Sequence, residues 1–148
     1  MHPRKGFGYW GKATAVIGAG LILFLCLVCV FYRVVHMPPR FVLAPESALR
    51  ILPGWCVYYP LLEELLYRLV LCAPLAALFG PWRAIVISGV VFGALHLLYG
   101  NPAPTNLVAG YILAWAYIRS ESIFVPIVWH SLGNAAILVF QVVAWYMM

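Results

Sequence analysis

The stretch Cys56-Val57-Tyr58-Tyr59-Pro60-Leu61-Leu62-Glu63-Glu64-Leu65-Leu66-Tyr67-Arg68-Leu69-Val70-Leu71 decides the fold, because it sets two adjacent carboxylates and a guanidinium inside an apolar run. An ionisable group in a membrane span costs about 2.5–3.5 kcal/mol on insertion scales, so groups kept there have a partner or a task. At about 100° per residue, Glu64 and Arg68 stand one turn apart on one helical face, while Glu63 is turned roughly 100° away from Glu64. Arg68 therefore neutralises one carboxylate, and the other is left to face something else. The plainer reading makes both glutamates bridges between helices, but a single Glu suffices to balance Arg68.

Outward from this stretch, the composition is that of lipid-embedded protein. Of 148 residues, 66% are hydrophobic and 9% charged, and the mean hydropathy is +0.98; soluble domains carry about a quarter charged residues. Each span needs about 20 apolar residues, so the length holds four or five helices and no separate soluble domain. The expected fold is an all-α, polytopic transmembrane helical bundle of about five spans, forming a single integral membrane domain over 1–148. The first span covers about 13–32 and the motif-bearing bundle about 56–148. Ala13 to Val30 follows Arg4, Lys5 and Lys12 as a signal peptide would, but it lacks an A-x-A-like exit and continues through Phe31, Tyr32 and Arg33, which favours a retained span.

Met37 to Pro53 is the longest polar connection, with a short interfacial helix expected over Ser47 to Leu52 and a reset of the chain at Pro53-Gly54. Later spans run from about Cys56 to Phe79, Arg83 to Tyr99, Thr105 to Ile118 with Thr105 as N-cap, and Ile123 to Met148. The net charge of +5 does not point to nucleic acid, because the basic residues sit singly or in small groups at segment edges. Alternating spans put Arg4, Lys5, Lys12, Arg83 and Arg119 on one side and Arg33, Arg40 and Arg50 on the other, which favours a cytoplasmic N-terminus. Cys26, Cys29, Cys56 and Cys72 lie in or beside apolar runs and read as small core hydrophobes. Gly89 and Gly93 form a small-x-x-x-small pair that permits close helix packing.

Two further spans carry imidazoles. Phe92 precedes His96 by four residues and His130 precedes Asn134 by four, so each pair presents one stripe to a bundle interior. A lone intramembrane His is often a satisfied structural group; two of them with an Asn, opposite a Glu-Glu pair, favour a site. Counted at ~1.5 Å per residue from the expected span ends, Asn134 lies about 15 Å, His96 about 18 Å and Glu63 about 20 Å from one membrane face, with His130 about 9 Å from it, one turn off. Such a set suits water activation. A carboxylate beside an imidazole orients and deprotonates water, the role of Glu63 and His96, while a second His and an Asn amide, His130 and Asn134, donate to the oxyanion of a tetrahedral intermediate.

Glu63-Glu64-x-x-x-Arg68, Phe92-x-x-x-His96 and His130-x-x-x-Asn134, in that order on separate hydrophobic segments, resemble the CPBP (Abi) glutamic intramembrane proteases, a group that includes the CAAX prenyl endopeptidases. The resemblance covers Leu61 to Asn134. It implies a hydrolase, an intramembrane peptidase of glutamic type, in which Glu63 is the catalytic carboxylate and His96 helps it activate water. Glu64 and Arg68 complete the first motif, Phe92 supports the second, and His130 with Asn134 binds the oxyanion. It implies no cofactor and no metal. The implied partners are the lipid bilayer and a membrane-anchored protein or peptide substrate with a C-terminal sorting or CAAX-like signal, and no nucleic acid. The implied location is a prokaryotic cell membrane, crossed several times. The chain is short for this group, whose compact members include the myxosortases.

Two rivals stand beside this reading. A zinc peptidase would take Glu63, His96 and His130 as ligands with water as the fourth, but no H-E-x-x-H is present. A non-catalytic membrane adaptor or immunity protein of the same fold has no need for so much buried polarity. The absence of Asp removes an aspartyl protease, and Ser88-Gly89 and Ser131 lack the G-x-S setting of a rhomboid-like serine protease.

Overall fold

The computed structural model describes residues 3–35, 42–101 and 103–147, which form helices and short connections with no strand among them. Of the expected polar connection, Met37, Pro38, Pro39, Arg40 and Phe41 lie outside the described residues, as does Pro102 in a later turn. The helices are α1 (Gly6–Val35), α2 (Pro45–Pro53), α3 (Tyr59–Glu64), α4 (Ala73–Phe79), α5 (Pro81–Leu98), α6 (Pro104–Ser120) and α7 (Phe124–Trp145). Two π-helical stretches, Gly54–Tyr58 and Leu65–Cys72, join α2 to α3 and α3 to α4.

The chain is therefore helical without interruption from Pro45 to Phe79, and the expected reset at Pro53-Gly54 does not occur. Gly54 continues the right-handed geometry at φ −64° and ψ −53°, its N–H bonded to the Ile51 carbonyl. Each π stretch ends shortly before a proline, Pro60 or Pro74. A proline ring clashes with the carbonyl four residues back and donates no hydrogen bond, and a turn widened to five-residue bonds moves that carbonyl aside. The Tyr59 N–H accordingly bonds to Gly54, and the Ala73 N–H to Arg68.

Gly80 turns the chain between α4 and α5 at φ +83° and ψ 164°, a region essentially confined to glycine. Thr105 does not cap α6. Ala103 holds that position and Pro104 follows at the start of the helix, where its missing N–H has no intrahelical partner to lose. The α5–α6 pair packs closely, as the Gly89 and Gly93 spacing implies. A Cβ on Gly89 would stand 2.4 Å from the Tyr111 ring and one on Gly93 would stand 2.9 Å from Leu107. Gly110 completes the contact from α6, with the Gly89 carbonyl 2.8 Å from where its own Cβ would be.

The first turns of α1 are fastened to α6 and α7 by three indoles. The Trp10 ring lies 6.2 Å from Trp115 and 5.7 Å from Trp129 between centroids. Both buried N–H groups are satisfied, Trp10 Nε1 donating to the Arg4 carbonyl at 2.7 Å and Trp129 Nε1 to Thr14 Oγ1 at 2.8 Å. Beyond that anchor α1 exposes Ile22, Leu23, Phe24, Leu27 and Val30. The four cysteines are free thiols, and only Cys72 is a core residue; Cys26, spaced C-x-x-C with Cys29 on α1, is exposed.

Among the described residues, three helices are long and apolar enough to cross a membrane: α1, α5 and α7. The other two expected spans differ for physical reasons. The run from Pro45 to Phe79 is cut into α and π pieces around its charged residues, and α6 reaches 17 residues. The architecture is an all-α membrane helical bundle.

Candidate active site

The site is built on the helical run that carries Glu63 and Glu64, with α5 and α7 packed against it. Glu64 and Arg68 are fully buried. As their spacing requires, Arg68 Nε donates to Glu64 Oε2 at 2.7 Å and Nη2 to Oε1 at 3.4 Å. The remaining guanidinium nitrogen donates to Ser88 Oγ at 2.8 Å, and that hydroxyl donates to the Tyr67 carbonyl at 3.4 Å. The face of the Phe92 ring lies 5.5 Å from the guanidinium carbon. A buried ion pair persists when its leftover donors find partners, and Ser88 and Phe92 supply them here.

Glu63 faces the other way. Its Oε2 lies 3.7 Å from His96 Nε2 and 3.9 Å from His130 Nε2. Both separations exceed hydrogen-bond length. Oε2 is buried and has no hydrogen-bond partner among the described residues. A carboxylate oxygen and two ring nitrogens thus converge on one point without touching one another.

The opposite ring nitrogens fix the two imidazoles. His96 Nδ1 lies 2.9 Å from the Phe92 carbonyl, and His130 Nδ1 lies 2.9 Å from Glu64 Oε1. Both oxygens accept, so each ring donates from Nδ1 and turns its Nε2 toward Glu63. Phe92, 1% exposed, is the packing centre. Its ring stacks on His96 at 4.3 Å and meets His130 and Tyr67 edge-on at 5.8 Å and 4.9 Å.

The depth count is corrected in one respect. His130, expected one turn off, stands level with Glu63 and Glu64, although α7 begins at Phe124, within a residue of the expected start. Asn134 sits a turn farther along α7, where its Nδ2 donates to the Trp55 carbonyl at 2.8 Å. That carbonyl lies in the first π stretch, five residues before Pro60, which has no N–H to give it, and Asn134 supplies the missing donor. Glu63, Glu64, Arg68, Phe92, His96 and His130 are therefore one connected cluster, and Asn134 touches the same helical run at a different level.

Ser88 and Tyr67 belong to this cluster without having been singled out for it. Ser88 did carry a signal, since it precedes Phe92 by four residues and His96 by eight and so lies on their stripe of α5. Among the described residues, no group of three or more His, Cys, Asp and Glu has an arrangement suited to holding a metal ion.

Residues 19–136 match the protein family described as Type II CAAX prenyl endopeptidase Rce1-like. A curated relative, "Putative membrane peptidase YdiL" of Bacillus subtilis (strain 168), is 31% identical over an alignment of 88 residues that covers 55% of this chain and 33% of that protein. The chain thus matches about a third of the length of that relative. No solved structure matches it.

Proposed function

The chain belongs to the Rce1-like family of type II CAAX prenyl endopeptidases, and on that premise we propose that it is a glutamate-dependent intramembrane endopeptidase that hydrolyses a peptide bond in a membrane-anchored protein. The observation that carries this reading is the unpartnered Oε2 of Glu63, buried between the Nε2 atoms of His96 and His130 at 3.7 Å and 3.9 Å. Polar groups separated by more than about 3.5 Å are commonly bridged by water. A water at this point donates to Glu63 and His96 and is held with its lone pair free to attack a carbonyl.

In the proposed reaction Glu63 accepts the proton as the water oxygen bonds to the scissile carbonyl carbon, and later returns it to the leaving amine. His130 faces the developing oxyanion. His130 enters the reaction as the imidazolium, Nδ1 donating to Glu64 and Nε2 to the oxyanion, the state in which ionised Glu63 and Glu64 with Arg68 and His130 sum to zero charge. Asn134, one turn farther along α7 with one N–H given to Trp55, keeps a second N–H that we assign to a substrate carbonyl drawn into the cluster from that side. The substrate class is a protein with a C-terminal hydrophobic or CAAX-like signal.

The test is co-expression with candidate membrane proteins bearing such tails, following the tail by immunoblot and mass spectrometry. Wild type releases it and Glu63→Ala does not. Equal release by both excludes Glu63 as the base.

A further inference from the structure

A cavity of about 630 Å³ opens at the other end of the bundle, where the start of α1, the start of α5 and the end of α6 meet. Trp82 and His96 share α5 and stand about 20 Å apart along its axis at ~1.5 Å per residue, so this cavity is separate from the candidate active site. Its polar wall is Arg4, Lys5, Arg119 and Glu121, and its apolar wall includes Trp82, Trp115 and Ile85.

The charges do not cancel. Glu121 is occupied by Arg4, whose Nη1 lies 2.8 Å from Oε1, and among the described residues neither Lys5 nor Arg119 has an anionic partner. Lys5 has only the Tyr9 ring, 4.6 Å from its Nζ. It is also held in the left-handed backbone region at φ +71°, between an Arg4 N–H bonded to the Ser120 carbonyl and a Gly6 N–H bonded to the Pro3 carbonyl. Lys5 and Arg119 thus leave two exposed positive charges at one pocket, available to an anion. The rest of the lining says which kind. A free phosphate has no use for indole and isoleucine walls, whereas a headgroup at the end of apolar helices brings acyl chains that cover them.

We propose that this cavity binds an acidic phospholipid, its phosphate held by Lys5 and Arg119 and its glycerol and upper acyl chains lying against Trp82, Trp115 and Ile85. The bound lipid ties the start of α1 to the α5–α6 pair, adding to the Trp10 anchor.

The experiment uses the full chain in a neutral detergent, titrated with phosphatidylglycerol, with phosphatidylcholine of the same chain length, and with inorganic phosphate, read by melting temperature and native mass spectrometry. Phosphatidylglycerol is expected to raise the melting temperature and to remain bound, and the other two to do neither. The Lys5→Ala/Arg119→Ala variant is expected to bind it roughly tenfold or more weakly. Lys12→Ala, an exposed cation on α1 outside the cavity, is expected to bind as wild type does. Equal binding of the two lipids, wild-type binding by the double variant, an equal loss in Lys12→Ala, or full displacement by inorganic phosphate overturns the proposal. If the double variant does not fold, brominated phosphatidylglycerol is added instead to wild type and Trp82→Phe. A smaller quenched fraction in the variant supports the site, and unchanged quenching defeats it.

Discussion

His130 presents Nδ1 to Oε1 of Glu64 at 2.9 Å, so the carboxylate that neutralises Arg68 also sets the angle of an imidazole facing Glu63. The adjacent glutamates have unlike tasks. Glu64 is fully enclosed and answers to Arg68 and His130, while the Glu63 side chain, 30% exposed, answers to no donor of its own. A helix advances about 100° per residue, and that rotation alone turns one carboxylate into the protein and the other into the cluster.

Arg68→Ala strips Glu64 of its counter-ion while leaving it enclosed. Removing one partner of a buried pair costs about 3–5 kcal/mol, so the variant should melt well below wild type in detergent or fail to accumulate. Replacing both residues, as Glu64→Met/Arg68→Met, removes the stranded charge and should recover much of that stability. The recovered protein should still be inactive, because His130 has lost the acceptor that orients it. Unchanged melting of the single variant would contradict the pairing.

Phe92→Leu keeps most of the buried volume but removes the flat surface on which His96 stacks. It should fold, and lose activity chiefly through a lower kcat, since a misdirected Nε2 affects the reacting geometry more than substrate capture. Phe92→Ala adds a cavity and should also cost about 3–5 kcal/mol of stability. Thermal melts beside turnover separate the two effects. A Leu variant with wild-type kcat would make Phe92 a packing residue only.

Gly110→Ala tests the α5–α6 contact. Its new methyl would meet the Gly89 carbonyl at 2.8 Å, and backbone cannot swing aside as a flexible side chain does. Overpacking of this kind costs typically about 1–3 kcal/mol, read as a lower melting temperature. Because His96 and Phe92 ride on α5, activity should fall with it. Gly133→Ala, where an added Cβ meets nothing within 4 Å, is the control and should melt like wild type.

The cluster was legible in the sequence wherever helical periodicity alone brings groups together. Glu64 with Arg68, Phe92 with His96, and the outward turn of Glu63 all follow from about 100° per residue. Legibility failed where the helix departs from that period. The π stretches around Glu63 and Glu64 leave no mark on an apolar pattern, so the continuity through Pro53 and the placement of Asn134 on the Trp55 carbonyl were out of reach. In the sequence Ser88 reads only as a candidate nucleophile without its G-x-S setting, and its part as a buried acceptor for Arg68 depends on a contact between helices that no single segment displays. The depth count misplaces His130 relative to Glu63 although the start of the last span is right to within a residue; it measures Glu63 at the ~1.5 Å per residue of an α-helix, which the π stretch Leu65–Cys72 does not follow.

Glu63→Gln separates the proposed enzyme from its rivals. The amide keeps the shape and the packing of the carboxylate but cannot take a proton from water, so turnover should fall by the 10²–10⁴-fold typical of a lost general base, or further. Folding should survive, because Glu63 holds no ion pair as short as that of Glu64, its nearest nitrogen being 3.7 Å away. Cleavage of a tail-bearing substrate is then followed for both proteins with and without o-phenanthroline, beside metal analysis. On the glutamate mechanism the wild type cleaves in chelator and the variant does not cleave in either condition. On the zinc reading chelator abolishes wild-type cleavage, and His96 or His130 substitutions release stoichiometric metal. On the adaptor reading Glu63→Gln leaves the cellular phenotype intact. Processing of the substrate at equal rates by wild type and Glu63→Gln would defeat the mechanism, since a proton acceptor at that position would then contribute nothing to the step it is assigned.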